Sequence, residues 1–311
     1  MNYLEIAIKT TSAEIEDVAA ALTAGGFAEL IIEDQQEFET FLEENKAYWD
    51  YIDEELQAKM EGLSCIKLYL QDTDTQGLSR LRALTEKLSL PMAVATLAET
   101  NWEDSWKENY PPQPVGKKLI VLPYWLENPD ENRLPVILDP GLTFGTGAHP
   151  STQMVLEAME ENIRNDSVCL DLGSGSGILS IAALRLGAKS AIGVDIDPKA
   201  EDIARENAAY NGFSAPGFTA LTGNVTADKK LMTRLMEQEY DVVLVNIVAD
   251  VICALAPVLP QFLTDKSILI CSGILDTRLA DVLEALKKSG LTVTEIRQKE
   301  DWRCVCARKQ A

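Results

Sequence analysis

Val168-Cys169-Leu170-Asp171-Leu172-Gly173-Ser174-Gly175-Ser176-Gly177-Ile178 is the stretch on which the fold of this chain turns. Apolar residues around one carboxylate read as a buried strand, three alternate glycines as a turn that no side chain obstructs, and Ile178 as the start of an apolar helix. A ligand can touch backbone in such a turn. The dinucleotide fingerprint needs a glycine three residues after its second glycine, where helix and strand pack closely beside a pyrophosphate. That position is Ile178 here, and the third glycine, Gly177, falls only two residues after Gly175. The spacing favours a nucleotide-like ligand with no phosphate for the helix N-terminus to hold over a nicotinamide or flavin.

Downstream of this turn, helical and strand patterns alternate, which implies a parallel sheet with helices on both faces. Strands are expected at Val168–Leu172, Ser190–Ile196, Phe218–Thr222, Asp241–Asn246, Ser267–Ser272, Leu291–Ile296 and Trp302–Ala307. The last two lie too close for a crossover helix and should pair as an antiparallel hairpin. Seven strands ending in a hairpin suit a doubly wound, Rossmann-like α/β domain of the S-adenosylmethionine-dependent methyltransferase type.

Upstream, residues 1–100 read as a small α+β domain. Tyr3–Lys9 alternates as a strand, Thr11 and Glu14 suggest a capping box for a helix through Leu22, and Gly25-Gly26 end it before a strand at Ala28–Ile32. Ser64–Leu70, Gly77–Leu88 and Met92–Leu97 repeat strand, helix and strand. The order βαββαβ is ferredoxin-like, with helices on one face of an antiparallel sheet. With no catalytic constellation of its own, this domain is a candidate for substrate recognition. Residues 101–116 form a linker in which Trp102 and Trp106 share one side of a short helix, stopped by Pro111, Pro112 and Pro114. The methyltransferase domain is expected over 117–311. It opens with strands at Lys118–Leu122 and Leu134–Leu138, followed by the glycine- and hydroxyl-rich loop Asp139–Thr152 and a helix over Ser151–Arg164.

The totals are compatible with two ordinary cores: 311 residues, 46% hydrophobic. The longest apolar stretch, Val242–Leu259, is interrupted by Asn246 and Asp250, and Glu5 stands where a signal peptide would need an apolar run, so no membrane association is expected. Six cysteines without a C-x-x-C pair, and a single histidine, His149, offer no metal-ligand spacing and suit a reducing cytoplasm. The formal net charge of -21 disfavours direct nucleic-acid binding. Ten carboxylates against one cation, Lys46, between Glu33 and Glu55 make either a solubilising face or a field that steers a basic partner.

The ligand should lie beyond the carboxyl ends of the central strands, where the chain reverses its direction across the sheet. Asp195 ends the second strand 22 residues after Gly173, the separation at which a carboxylate reaches a ribose diol. Asp197, just before Pro198, reads instead as a helix N-cap. Asn246 ends a buried strand, where an amide is costly unless both its donor and acceptor are used. Its oxygen suits orientation of an incoming amine, with a helix cap as the alternative. Asn224 suits an adenine contact or a turn, and Asp171 either meets a ligand ammonium or bonds turn amides. His149 is open between a structural role, a cofactor-loop contact and proton transfer.

Four segments then combine: Asp139-Pro140-Gly141 with Phe144-Gly145-Thr146-Gly147-Ala148-His149-Pro150-Ser151-Thr152, the glycine turn, Gly193-Val194-Asp195-Ile196-Asp197, and Asn246-Ile247-Val248-Ala249. Together with Trp102–Lys107 and Asp301-Trp302, they resemble the bacterial ribosomal protein L11 methyltransferase family. Ser151 and Val248 depart from that pattern, where threonine and leucine would be expected. The resemblance implies S-adenosylmethionine held at Thr152, Gly173, Asp195 and Asn246; Asp171 and Gly175 of the turn complete the candidate cofactor set, with Asn246 as the candidate catalytic residue. It also implies methylation of lysine side chains and the N-terminal amine of ribosomal protein L11. Only a neutral amine can attack a sulfonium methyl, and making a lysine of pKa about 10.4 neutral at pH 7 costs about 4.6 kcal/mol. Another protein or a small-molecule amine is the alternative acceptor. Adenine-amino methyltransferases usually follow the asparagine with Pro-Pro-aromatic, which is absent after Asn246.

Overall fold

A computed structural model describes residues 3–27, 30–35, 64–97, 110–140 and 147–310. The paired tryptophans of the linker, most of the acidic stretch and Phe144 lie outside them. The chain divides into two compact units, Met1–Asn109 and Tyr110–Ala311.

In the first unit, β1 (Tyr3–Lys9), α1 (Ile15–Ala24), β2 (Ile31–Asp34), β3 (Ser64–Gln71), α2 (Thr75–Lys87) and β4 (Met92–Leu97) follow the expected order. The sheet runs β2-β3-β1-β4 with every pair antiparallel, the ferredoxin-like arrangement. Its core joins Ile6, Ile8, Ile66 and Leu68 of the strands to Ile15, Val18, Leu22 and Leu81 of the helices. The alternation of strand side chains explains why the two isoleucines of β1 stand two residues apart. The capping box does not form. Helix α1 begins at Ile15, after Glu14, and the Thr11 hydroxyl donates to the Glu14 carboxylate at 3.2 Å instead of serving backbone N–H groups. At the far edge, Asp34 and Ser64 stand opposite each other, and the Asp34 carboxylate accepts from both Ser12 and Ser64 hydroxyls at 2.6 Å.

The second unit contains a three-stranded and a seven-stranded sheet. In the smaller one, β5 (Gln113–Val115) pairs antiparallel with β6 (Leu119–Pro123), which runs parallel to β7 (Leu134–Leu138). The larger comprises β8 (Val168–Leu172), β9 (Ser190–Asp195), β10 (Phe218–Thr222), β11 (Tyr240–Asn246), β12 (Leu263–Leu275), β13 (Leu291–Lys299) and β14 (Trp302–Lys309). Its order is β10-β9-β8-β11-β12-β14-β13, parallel as far as β12, with β14 antiparallel to both neighbours. The expected terminal hairpin is present. Strand β12 outruns the expected Ser267–Ser272 because the polar residues Thr264–Lys266 and the bulge around Gly273 also extend.

Two apolar layers cover the sheet. One joins it to α3 (Pro150–Asn162), α4 (Ile178–Arg185) and α5 (Pro198–Tyr210); the other joins it to α6 (Lys229–Leu235), α7 (Ala249–Leu255) and α8 (Leu279–Lys288). Among the described residues, no helix is long and apolar enough to cross a membrane.

Candidate functional site

Strand β8 has β9 on one side and β11 on the other, so the chain reverses its direction across the sheet at β8. The carboxyl ends of these three strands bring Gly173, Asp195 and Asn246 to one place, since Leu172 pairs with both Val194 and Val245.

Gly173, Gly175 and Gly177 have φ of +77°, +48° and +78°, a left-handed course open mainly to glycine. The amides of Gly173 and Ser174 donate to the Val194 carbonyl at 2.8 and 3.1 Å, and that of Gly177 to the Ser174 carbonyl at 2.8 Å. Gly175 N–H donates to Asp195 Oδ2 at 2.8 Å, and Asp197 N–H to Asp195 Oδ1 at 3.0 Å. Both carboxylate oxygens are thus fixed by backbone, yet each keeps a lone pair for a ligand hydroxyl. Asp197 caps α5 through Lys199 N–H at 2.9 Å, as its position before Pro198 predicts.

Asp171 is fully buried, and its Oδ2 accepts from the Ser180 amide at 3.1 Å and the Ser180 hydroxyl at 2.8 Å. Ser180 is the third residue of α4. The helix N-terminus that would hold a phosphate in a dinucleotide site is therefore served in its first turn by the protein's own carboxylate. Asp171 Oδ1 has no hydrogen-bond partner among the described residues. Burial pushes this carboxyl up to about 7, against the two bonds from Ser180, with the charge of Asp195 adding to the rise. An orphaned, buried acceptor calls for a cation or a donor.

Asn246 Nδ2 donates to the Thr152 hydroxyl at 3.0 Å, while its side-chain oxygen accepts from no described residue. Thr152, 3% exposed, sits in the first turn of α3. His149 settles as the N-cap of that helix: Nδ1 accepts from Ser151 N–H at 3.3 Å and meets Ser151 Oγ at 2.7 Å. The amide donation puts the ring proton on Nε2. Burial lowers the His149 pKa, opposed by Glu300, and Trp302 packs edge-on at 4.6 Å. Replacing His149 with Asn, itself a good N-cap, is expected to leave turnover within about threefold of wild type from pH 6 to 9. A loss of several orders of magnitude, with cofactor binding intact, would restore a proton-transfer role.

Asn224 takes the turn reading: its Oδ1 accepts from Thr226 N–H at 2.9 Å and the Thr226 hydroxyl at 2.7 Å. Two residues escaped the sequence reading. Ile247 Cγ2 lies 2.4 Å from where a Cβ on Gly173 would stand, so this side chain closes the floor of the turn. Asn207, wholly buried in α5, was hidden among the charged residues of an amphipathic helix.

A family model described as "Ribosomal protein L11 methyltransferase (PrmA)" matches residues 2–310. A ribosomal protein L11 methyltransferase of Heliobacterium modesticaldum is 36% identical over 320 residues, covering 99% of this chain and 98% of the relative. One from Alkaliphilus oremlandii is 33% identical, covering 99% of each. Among solved structures, a ribosomal protein L11 methylase from Lactobacillus delbrueckii subsp. bulgaricus is similar, with a TM-score of 0.58 and 28% identity. It covers 65% of this chain and 100% of that one.

Proposed function

Because the chain belongs to the ribosomal protein L11 methyltransferase family, we propose that it methylates lysine side chains and the N-terminal amine of ribosomal protein L11. It is an S-adenosylmethionine-dependent protein methyltransferase. One observation carries the assignment of its site: Gly173, Asp195 and Asn246 stand at the ends of three adjacent strands where the sheet order reverses, with Thr152 bonded to Asn246.

The donor set fits the cofactor. Asp195, oriented by two backbone amides, has lone pairs for the two ribose hydroxyls, and the orphaned Asp171 Oδ1 offers a negative partner for an ammonium, directly or through water. Gly173 and Gly175 let the ligand approach backbone. When bound, S-adenosylmethionine supplies an electrophilic methyl on a sulfonium. The Asn246 amide nitrogen is committed to Thr152, which leaves its oxygen to accept from an amine N–H and aim the nitrogen lone pair. His149 is engaged as a helix cap, so the amine loses its proton to water as burial lowers its pKa, and alignment with the methyl supplies most of the acceleration.

The recognition of substrate belongs to residues 1–100 and the chemistry to 117–311, a division supported by the position of every candidate site residue between Thr152 and Asn246. Of the link over 101–116, the residues from Tyr110 onward join the second unit, where Gln113–Val115 pairs with β6. The net charge of -21 supports a protein substrate rather than direct nucleic-acid binding. Free cysteines buried at positions 65, 169, 271, 304 and 306 support a cytoplasmic location.

Incubation with purified ribosomal protein L11 and methyl-labelled S-adenosylmethionine should add methyl groups at lysine and N-terminal amines, read by mass spectrometry. No added mass at any amine would overturn the substrate assignment.

Asp171 gives this site a pH signature. A carboxyl raised from about 4 to about 7 contributes stability that is full below its unfolded value and lost as pH rises through its folded one. The ligand-free enzyme should therefore lose Tm relative to Asp171→Asn between pH 4 and 7. An ammonium favours the ionised acid, so cofactor affinity should rise through pH 7 in wild type and stay flat in Asp171→Asn. Parallel profiles for the two proteins would remove Asp171 from the site.

A further inference from the structure

Among the described residues, no strand pairs with the edge of β7 away from β6. Ile137 donates to Asn211 Oδ1 at 3.0 Å, and its carbonyl accepts from Asn211 Nδ2 at 2.7 Å. Two residues on, the Asp139 amide donates to Asn207 Oδ1 at 2.8 Å. Residues 137 and 139 face the same way because strand backbone alternates, and Asn207 of α5 and Asn211, the C-cap residue of that helix, lie on one side of it because they are four apart. The helix thus acts as a surrogate strand built from side-chain amides.

Asn207 does more than close this edge. Its Nδ2 donates to the Ser176 carbonyl at 2.8 Å, inside the glycine turn, and the side chain is 0% exposed. One amide therefore fixes the separation between the glycine turn and Asp139, the first residue of the glycine- and hydroxyl-rich loop. The other end of that loop is tied at Thr152 to Asn246. Asn211 reaches β7, Arg185 and the Asn207 backbone, but makes no bond to the turn. The two asparagines thus have separable roles, although both are buried at the C-terminal end of one helix, Asn211 as its cap.

We propose that Asn207 is a positioning residue of the cofactor site, holding the glycine turn in register with Asp139, whereas Asn211 only completes the sheet edge. This rests on the S-adenosylmethionine reading of the site. In Asn207→Asp, the acceptor for Asp139 is kept and the donor to Ser176 is replaced by a repelling oxygen; Asn207→Leu removes both bonds.

The test measures S-adenosylmethionine Kd by calorimetry, melting temperature, and kcat and KM separately, on the full chain. Both Asn207 variants should raise Kd and cofactor KM tenfold or more. Asn211→Leu should lower the melting temperature while Kd stays within about threefold of wild type. Hydrogen exchange at the Asp139 amide should be fast in Asn207→Leu and slow in Asn207→Asp. If Asn207→Leu does not fold, the near-isosteric Asn207→Asp carries the test. Wild-type binding with an unchanged Kd in Asn207→Asp overturns the inference alone; failure of the wild type to bind overturns the cofactor reading with it.

Discussion

Asp195→Ala is expected to weaken S-adenosylmethionine binding by about 10²–10⁴-fold. Hydrogen bonds to a charged group contribute about 1.5–3 kcal/mol each, and the proposed ribose contact would use two of them. The substitution acts twice, because Gly175 N–H and Asp197 N–H lose the oxygens that they now meet at 2.8 and 3.0 Å. The turn loses its orienting partner together with the ligand contact. Asp195→Asn, which keeps one oxygen, should fall between the alanine variant and wild type. Calorimetric titration decides it, and an alanine variant binding within tenfold of wild type would remove Asp195 from the site.

Gly173→Ala should be strongly damaging for a single methyl addition. A left-handed φ costs a residue with a Cβ about 1–2 kcal/mol, and overpacking adds about 1–3 kcal/mol. The new Cβ would lie 2.4 Å from Ile247 Cγ2, a methyl on a β-branched carbon that has little freedom to turn aside. Nor can the Ile247 backbone retreat, because Gly273 stands against it so closely that a Cβ there would sit 2.4 Å from the Ile247 carbonyl oxygen. A fall in melting temperature of roughly 5–15 °C follows for a unit of this size, with loss of cofactor binding because Ile247 adjoins Asn246. Gly212→Ala is the control: it has almost the same φ, +76°, with nothing within 4 Å of the added Cβ, and should show the dihedral cost alone. Equal effects at the two positions would dismiss the contact with Ile247.

Much of this architecture was readable from local pattern. The glycine turn, the acid ending β9, the terminal hairpin and the ferredoxin-like order each follow from spacing within a few residues, where sterics and periodicity act directly. Other features depend on distant partners. At α1 the cap position falls to Glu14, whose side chain makes no cap bond, and the spacing of Thr11 and Glu14 does not report that. His149 as an N-cap was obscured because the residues usually found there carry oxygen acceptors, whereas here an imidazole nitrogen serves. Asn207 was illegible for a deeper reason: its bonds reach positions 139 and 176, 68 and 31 residues away, and nothing in the run of α5 marks it as buried. The short strand Gln113–Val115 was masked by its own proline, tolerable only because it lies at a sheet edge.

The bond from Ser64 to Asp34, doubled by Ser12, carries a consequence for engineering. Residues 34 and 64 face each other across adjacent strands, so the end of β2 and the start of β3 stand only a strand spacing apart. Asp34 is consequently a clasp on this edge: Asp34→Ala removes the acceptor shared by two hydroxyls and should loosen the pairing of β2 with β3, read as faster hydrogen exchange along that edge.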